Sequence, residues 1–304
     1  MPNWCANRIR ITVPACLQAS LEAWVRGEEY PYYKRAVNQS IRLFIAGVAG
    51  RLKPGIEMLY LPYPPLTAHG PADPTEAALA FGEWLCMLGE NVALDKASCK
   101  RIDAIYRKTG LVGLKWDDLT AAEQARAEEV MRSKSHDWSA LGLRTASRAA
   151  LFDRLDDEPE GEVFDLRLIF STRLACEING FNGRLLDRVQ STYDLYCLNY
   201  GIKWPSASDA EITGGHGWLE IDTDTAWCPP CESVMEMMSD KWGCTIDHWF
   251  SEAGCDYCGY RRYEEGQLVD CIDDSLEYGD EDEHGWSDVT GPDWLLGNVP
   301  HYGG

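Results

Sequence analysis

Four cysteines in two Cys-x-x-Cys pairs are the residues whose type and spacing first indicate chemistry. The pairs, Cys228 with Cys231 and Cys255 with Cys258, are separated by 23 residues. Two such pairs supply the four thiolates of a tetrahedral zinc site, although zinc ribbons usually place about 15 to 20 residues between them. The alternative is that all four are small, half-buried thiols, since Cys255 and Cys258 would point to opposite faces of a regular strand. Zinc is the candidate cofactor, and no other is expected.

A row of carboxylates precedes the first cysteine pair. Glu220, Asp222 and Asp224 occupy every second position and alternate with Leu219 and Ile221, so they are predicted to share one face of a strand. Carboxylates at this spacing can hold Mg²⁺ for phosphodiester chemistry, with Asp247 as a further ligand if its strand pairs with theirs. A solvated strand face has the same pattern.

Other chemistries have less support in the sequence. No GxxxxGK[ST] or GxGxxG motif is present, so nucleotide binding is not predicted. Cys–His catalysis stays an open alternative, but no cysteine lies in a nucleophile signature. Tyr257, Tyr260 and Tyr263 are aromatic strand positions, yet no RNP1-like sequence surrounds them and their half of the chain is acidic. We therefore expect a protein that acts by binding rather than by catalysis.

The net charge of −21 is unevenly distributed. Residues 1–150 hold 19 Lys and Arg against 16 Asp and Glu, which leaves 9 and 33 in residues 151–304, or +3 and −24. Such a field repels nucleic acid and anionic lipid and attracts basic surfaces. Because duplex DNA presents about one charge per 1.7 Å of axis, rows of surface carboxylates can take its place in a basic groove. Ordinary solubility is the alternative explanation.

The acidic surface is the predicted binding site, and its rows are the β-strand carboxylates, the run at 273–283 and the loop at 153–160. The expected partner is a basic host or defence protein that itself binds nucleic acid, whereas direct binding to nucleic acid or membrane is not expected. The candidate binding residues are Glu220, Asp222, Asp224, Asp273, Asp274, Asp280, Glu281, Asp282 and Glu283.

The elements that position these residues follow from the apolar periodicity. Alternation over 7–13 predicts a strand, and Pro14 opens a helix after it. From about residue 40 to 148 the period is helical, with Asp95 and Thr120 as N-caps, and a strand is predicted over 163–170. Strand, helix and further strands follow over 217–272, which predicts an α+β fold with a ferredoxin-like antiparallel sheet split by a largely helical insertion. The predicted domains are the first β–α unit at 1–37, the helical insertion at 38–152, the remainder of the ferredoxin-like domain at 153–272, and an acidic, aromatic C-terminal tail at 273–304.

Short sequence motifs along nearly the whole chain are similar to those of a known family. They are Met1-Pro2-Asn3-Trp4-Cys5, Leu52-Lys53-Pro54, Tyr200-Gly201-Ile202-Lys203-Trp204-Pro205, Ser251-Glu252-Ala253-Gly254, Gly291-Pro292-Asp293-Trp294 and His301-Tyr302-Gly303-Gly304. Through these motifs the sequence resembles the YubB/Api92-like family. The resemblance implies the split ferredoxin-like fold and carriage on bacterial plasmids and phages, but no reaction or catalytic residues. Members commonly keep Trp-x-Pro-Pro without flanking cysteines, whereas here Cys228 and Cys231 flank the prolines.

The chain opens with no signal-peptide pattern and contains no run of 18 apolar residues, which predicts a cytoplasmic, non-membrane protein of a bacterial host. Its twelve scattered cysteines are expected to be reduced. The leading hypothesis is a mobile-element accessory protein that binds a basic partner, with DNA mimicry or anti-defence as its specific form. The alternatives are a metal-dependent enzyme and a zinc-stabilised structural protein.

Overall fold

The structure is a computed structural model that describes residues 3–139, 147–207, 209–281, 283–285 and 287–304. The chain divides into two units, which interleave along the sequence. The sheet unit comprises Met1–Tyr30, Glu160–Phe170 and Tyr196–Gly304, and the helical unit comprises Pro31–Pro159 and Ser171–Leu195. The helical unit thus begins before the predicted boundary at 38 and includes residues 171–195, which were predicted to lie in the ferredoxin-like domain.

The sheet unit is built on a six-stranded antiparallel sheet with the strand order β2-β3-β1-β4-β5-β6. The N-terminal strand β1 therefore lies in the interior of the sheet, between two strands that come more than 200 residues later in the sequence. The strands are β1 (Trp4–Thr12), β2 (Glu211–Gly215), β3 (Trp218–Ala226), β4 (Thr245–Glu252), β5 (Tyr257–Glu264) and β6 (Gln267–Asp274), and a separate pair is formed by β7 (Glu277–Tyr278) and β8 (Val289–Gly291).

The two faces of this sheet differ in what covers them. Helix α9 (Glu232–Trp242) contacts β4, β5 and β6 and covers the face that we call the helix face. Gly243 ends α9 with a positive φ of 52°, as a left-handed C-cap does. On the opposite face, which we call the open face, C-terminal residues pack with β5: Leu276, Leu295 and Val299 form a buried cluster with Cys258. The C-terminal tail thus docks through apolar contacts.

The helices of the helical unit surround α2, which is buried along nearly its whole length. Arg42 in α2 is fully buried, and it forms an ion pair with Asp156 at 3.1 Å while its guanidinium lies over the Phe152 ring. The helices that precede α9 in the chain are α1 (Ala15–Val25), which belongs to the sheet unit, α2 (Tyr32–Ala49), α3 (Glu76–Gly89), α4 (Lys96–Lys108), α5 (Ala121–Ser139), α6 (Arg148–Arg154), α7 (Leu174–Asn179) and α8 (Thr192–Tyr200).

The predicted α+β class is confirmed, and so are the two predicted N-caps. Asp95 accepts a hydrogen bond from the backbone N–H of Ser98, and Thr120 forms a capping box with Glu123. The strand predicted over 163–170 is wrong, because Leu166–Leu168 forms a 3-10 turn. Leu166 and Leu168 are buried because the compact turn directs them inward, and not because they lie on one face of a strand.

Candidate functional site

The carboxylates of β3 lie opposite the arginines of β1 on the open face. The register places Arg8 against Asp222 and Arg10 against Glu220. Arg8 donates from Nε and Nη2 to the two carboxylate oxygens of Asp222 at 2.8 and 2.7 Å, and Arg10 donates from Nη2 to Glu220 at 2.6 Å. The hydrogen bond to Asp222 raises the pKa of Arg8. Two carboxylates of the predicted row are therefore neutralised within the sheet.

Asp224, the third member of the row, lies at a different kind of position. His301 Nε2 lies 2.9 Å from Asp224 Oδ1. Asp224 also lines a cleft of about 420 Å³ together with Trp4 and Trp204, whose rings stack at a centroid distance of 5.9 Å. Each of the three predicted carboxylates on β3 thus has a partner inside the sheet unit.

Asp247 does not join the β3 row directly, because β1 lies between the two strands. Asp247 and Glu220 both stand opposite Arg10 in the register. Asp247 accepts hydrogen bonds from the Tyr260 hydroxyl at 2.6 Å and from Arg262 Nη1 at 3.2 Å. Across the parts of the chain that the structure describes, no three or more His, Cys, Asp or Glu side chains are grouped so that they could hold a metal ion.

The first cysteine pair precedes α9 and is half-buried. Cys228 donates its S–H to the carbonyl oxygen of Gly201 at 2.9 Å, and Cys231, the N-cap residue of α9, donates to that of Asn199 at 3.2 Å. Burial raises the pKa of Cys228. Both thiols are thus held by backbone carbonyls of the segment that ends α8.

The second cysteine pair is divided between surface and core. Cys255 is exposed and accepts a hydrogen bond from Asn3 Nδ2 at 3.6 Å, whereas Cys258 is buried in the apolar cluster of the open face. Burial, followed by the charges of Asp274, Asp256 and Glu277, raises the pKa of Cys258 to about 11. The two pairs are not assembled into a four-thiolate group, and zinc binding by them stays a prediction.

The C-terminal acidic residues differ from the β3 row in their surroundings. Residues 263–304, which we call the acidic segment, contain twelve Asp and Glu and neither Lys nor Arg. Asp273 is bonded to Arg261, and its side chain is still 71% exposed. Asp274, Asp280, Glu281 and Glu283 are exposed as well, whereas the predicted Asp282 lies outside the described residues.

Few cations balance this segment. Within the described ranges, no Lys or Arg forms an ion pair with Asp274, Asp280 or Glu281, and Glu283 has the ring nitrogen Nε2 of His284 at 3.6 Å. Asp274 stands opposite Cys258 in the register of β5 and β6, and Asp256 accepts a hydrogen bond from the backbone N–H of Leu276, the residue before Glu277, so these acids lie close together. The segment therefore presents uncompensated negative charge to solvent.

Sequence reasoning missed a buried polar pair on the helix face. His248 is 1% exposed, and its Nε2 lies 3.0 Å from Asn7 Oδ1. The sequence pattern could have identified both residues. Each is a polar residue at an inward position of an alternating strand, and its neighbours on the same face include Ile9 and Ile246. Polar residues at such positions are either satisfied in the core or used by a ligand.

No helix among the residues that the structure covers is both long and apolar enough to cross a membrane.

An antiparallel sheet with a helix on one face and a helical unit inserted after its first β–α element defines an α+β protein with a ferredoxin-like domain. The chain belongs to the family described as "Protein of unknown function (DUF1281)", whose model matches residues 30–204. A second model, described as "Ferredoxin-like domain in Api92-like protein", matches residues 199–291. The predicted family and the ferredoxin-like class are confirmed.

Relatives and a solved structure agree with this assignment. The chain is 42% identical over 145 residues to the Escherichia coli protein "Uncharacterized protein YubB", which covers 46% of this chain and 99% of that protein. It is 31% identical over 138 residues to "Uncharacterized protein YubA" of the same organism, covering 45% and 82% of the two chains. The crystal structure of a protein api92 from Yersinia pseudotuberculosis matches with a TM-score of 0.84 and 34% identity, over 92% of this chain and 100% of that one.

Proposed function

We propose that the protein is a non-catalytic binding protein that presents its acidic segment to a basic protein in the cytoplasm of a bacterial host. The observation that carries the proposal is the lack of compensation in this segment: Asp274, Asp280 and Glu281 are exposed and have no Lys or Arg partner among the described residues. Exposed charges of one sign steer an oppositely charged partner and raise its rate of association.

The β3 row contributes little to this field. Arg8 and Arg10 form ion pairs with Asp222 and Glu220. The electrostatic potential of each pair therefore falls off quickly with distance. The proposed binding surface therefore includes only some of the acidic residues in this half of the chain. Its centre is the part of the acidic segment that runs from Asp270 on β6 to the residues that follow β7.

The specific form that we propose is DNA mimicry in an anti-defence role. A basic groove that binds duplex DNA accepts closely spaced negative charges on another molecule for the same electrostatic reason. The carriage on plasmids and phages that the family resemblance implies supports a target in host defence, because such elements gain from blocking it. The partner on this proposal is itself a nucleic-acid-binding protein.

A pull-down from bacterial lysate at about 50 and 200 mM salt tests the proposal, since surface charge attraction is screened over this range. We expect a basic protein that is retained at low salt, lost at high salt and displaced by duplex DNA. The test variant is Asp280→Asn/Glu281→Gln/Glu283→Gln, and the matched control is Asp73→Asn/Glu57→Gln/Glu90→Gln. The control removes the same charges from exposed positions in the helical unit.

The test variant should lose most of the captured protein, and the control should keep it. Equal capture by both variants would contradict a role for the acidic segment. Capture of no basic protein at either salt concentration would contradict the proposed function as a whole. Capture that duplex DNA does not displace would leave basic-partner binding in place and exclude DNA mimicry.

A further inference from the structure

A cleft of about 500 Å³ lies on the helix face. Its walls come from the first turn of α9, from the Cys-Pro-Pro-Cys segment before it, and from β4 and β5. This volume falls within the range of sites that hold small organic molecules. The side chains that line the cleft include those of Cys228, Cys231, His248, Phe250, Arg261 and Tyr263.

The hydrogen bonds of Asn7 fix the tautomer of His248. Asn7 Nδ2 donates to the carbonyl oxygens of Cys5 and Thr223 and to the Thr225 hydroxyl, at 2.8, 3.2 and 2.9 Å. The amide nitrogen is thereby assigned to that side, so the Oδ1 atom that faces His248 is an acceptor. His248 Nε2 therefore carries the hydrogen of their 3.0 Å bond, and Nδ1 keeps a lone pair.

This Nδ1 atom is buried and has no hydrogen-bond partner. Burial, with a smaller contribution from the charge of Arg261, lowers the pKa of His248 to about 3. The ring thus stays neutral above about pH 4, and Nδ1 remains an acceptor without a donor. An unsatisfied buried acceptor opposes folding, and a ligand that supplies the missing donor would repay that cost.

We propose that this cleft binds a small, neutral, planar aromatic molecule that carries an N–H donor, and that the N–H bonds to Nδ1 of His248. The flat rings of Phe250 and Tyr263 and the two prolines give the cleft apolar walls that suit a ring. The proposal does not depend on the basic partner, and Asp273 is the one carboxylate of the acidic segment that it uses.

Charge at the cleft favours a neutral ligand. Arg261 lies over the Phe250 ring at 5.5 Å, and Glu232, which also lines the cleft, pairs with it at 3.3 Å, so the two charges offset each other. The charge of Arg261 is held by ion pairs with Glu232 and Asp273, and Nη1 donates to the carbonyl oxygens of Tyr260 and Ile272. Since the guanidinium is already engaged, an anion would gain little from it.

Protection of the cleft cysteines from alkylation tests the proposal. Benzamide is the probe, N,N-dimethylbenzamide is its matched analogue without N–H, and iodoacetamide labelling is followed residue by residue by mass spectrometry. We expect benzamide to slow labelling of Cys228 and Cys231 severalfold and to leave the exposed Cys16 and Cys86 unchanged. The dimethyl analogue should give no protection.

The His248→Phe variant separates binding from fold. It removes the unpartnered Nδ1 acceptor and also the donor to Asn7 Oδ1, so its melting is measured first to establish that it folds, and benzamide should then no longer protect its cysteines. If this variant does not fold, His248→Gln, which keeps an acceptor, should fold and retain part of the protection. No protection of the wild type up to the solubility limit of benzamide, equal protection by the dimethyl analogue, or full protection of His248→Phe would each overturn the proposal.

Discussion

Two sets of carboxylates in the sheet unit have the same chemistry and opposite surroundings. On β3, Asp222 and Glu220 are bonded to arginines of the neighbouring strand. In the acidic segment, Asp280 and Glu281 are exposed and lack such partners within the described residues. The first set stabilises the sheet, whereas the second is available to bind another molecule. Net charge alone does not distinguish the two sets, because pairing depends on which strands are adjacent.

The helix face of the same sheet adds a third arrangement, in which polar groups are buried and uncharged. Asn7 and His248 are joined by a hydrogen bond rather than by an ion pair. The three arrangements respond differently to pH, to substitution and to salt, and these responses provide tests of the distinction.

The largest expected effect is the acid response of His248. The unfolded side chain takes up a proton as the pH falls below about 6.5, but the folded side chain does so only near its lowered pKa of about 3. The unfolded state therefore binds more protons in this window, and the free energy of unfolding should fall by up to about 1.4 kcal/mol per pH unit. Urea unfolding at a series of pH values measures this slope. The slope between about pH 6 and 4.5 should be much smaller in His248→Phe, and an unchanged slope would assign the acid response to other groups.

Loss of a paired cation on β1 should have the next largest effect. Arg8→Met leaves Asp222, whose side chain is 18% exposed, without its bidentate partner. We expect a loss of about 1 to 2 kcal/mol in the free energy of unfolding, less than for a fully buried pair because solvent still reaches both groups. The double variant Arg8→Met/Asp222→Asn should recover part of the loss. A variant as stable as the wild type would mean that the β3 row does not depend on this pairing.

The neighbouring pair should matter less. Arg10 is 46% exposed in its pair with Glu220, so Arg10→Gln should cost only about 0.5 kcal/mol. Unfolding at about 0.05 and 0.5 M salt should show this difference shrink as the ions screen the wild-type pair. If Arg10→Gln lowers the free energy of unfolding as much as Arg8→Met does, the contribution of these ion pairs does not depend on their exposure.

The smallest effect on stability is expected in the acidic segment. Asp280→Asn/Glu281→Gln/Glu283→Gln removes charges that repel one another, so at low salt the variant should be as stable as the wild type or up to about 0.5 kcal/mol more stable. Thermal unfolding at low and high salt measures this change. A clear destabilisation would show that these residues hold the sheet unit together, as the β3 carboxylates do.

Much of the local structure follows from the sequence. Alternation identifies β1 and β3 and places Glu220, Asp222 and Asp224 on one face, and the caps Asp95 and Thr120 mark where helices begin. These features are local, since they depend on residues only a few positions apart. The helix predicted within 217–272 is α9, which begins at Glu232 with Cys231 as its N-cap residue.

The partners of the site residues could not be predicted in the same way. Asp222 and Arg8 are 214 residues apart in the sequence, and so many pairings are compatible with the charge pattern that the register is needed to choose among them. The Asn7–His248 bond spans 241 residues and depends on β1 lying beside β4. The cysteine spacing indicated a four-thiolate group, but Cys258 lies in the apolar cluster of the open face and Cys255 on the surface.

The interior position of β1 has a consequence for synthesis on the ribosome. β1 is made first, yet its two neighbours, β3 and β4, end at Ala226 and Glu252. Until those residues have left the exit tunnel, both edges of the nascent strand remain unpaired and able to associate with other chains. The helical unit, whose last residue is Leu195, emerges earlier and is rich in local contacts. Its folding can therefore precede closure of the sheet, and a pause in translation before residue 218 would prolong the stage at which the nascent chain is most prone to aggregate.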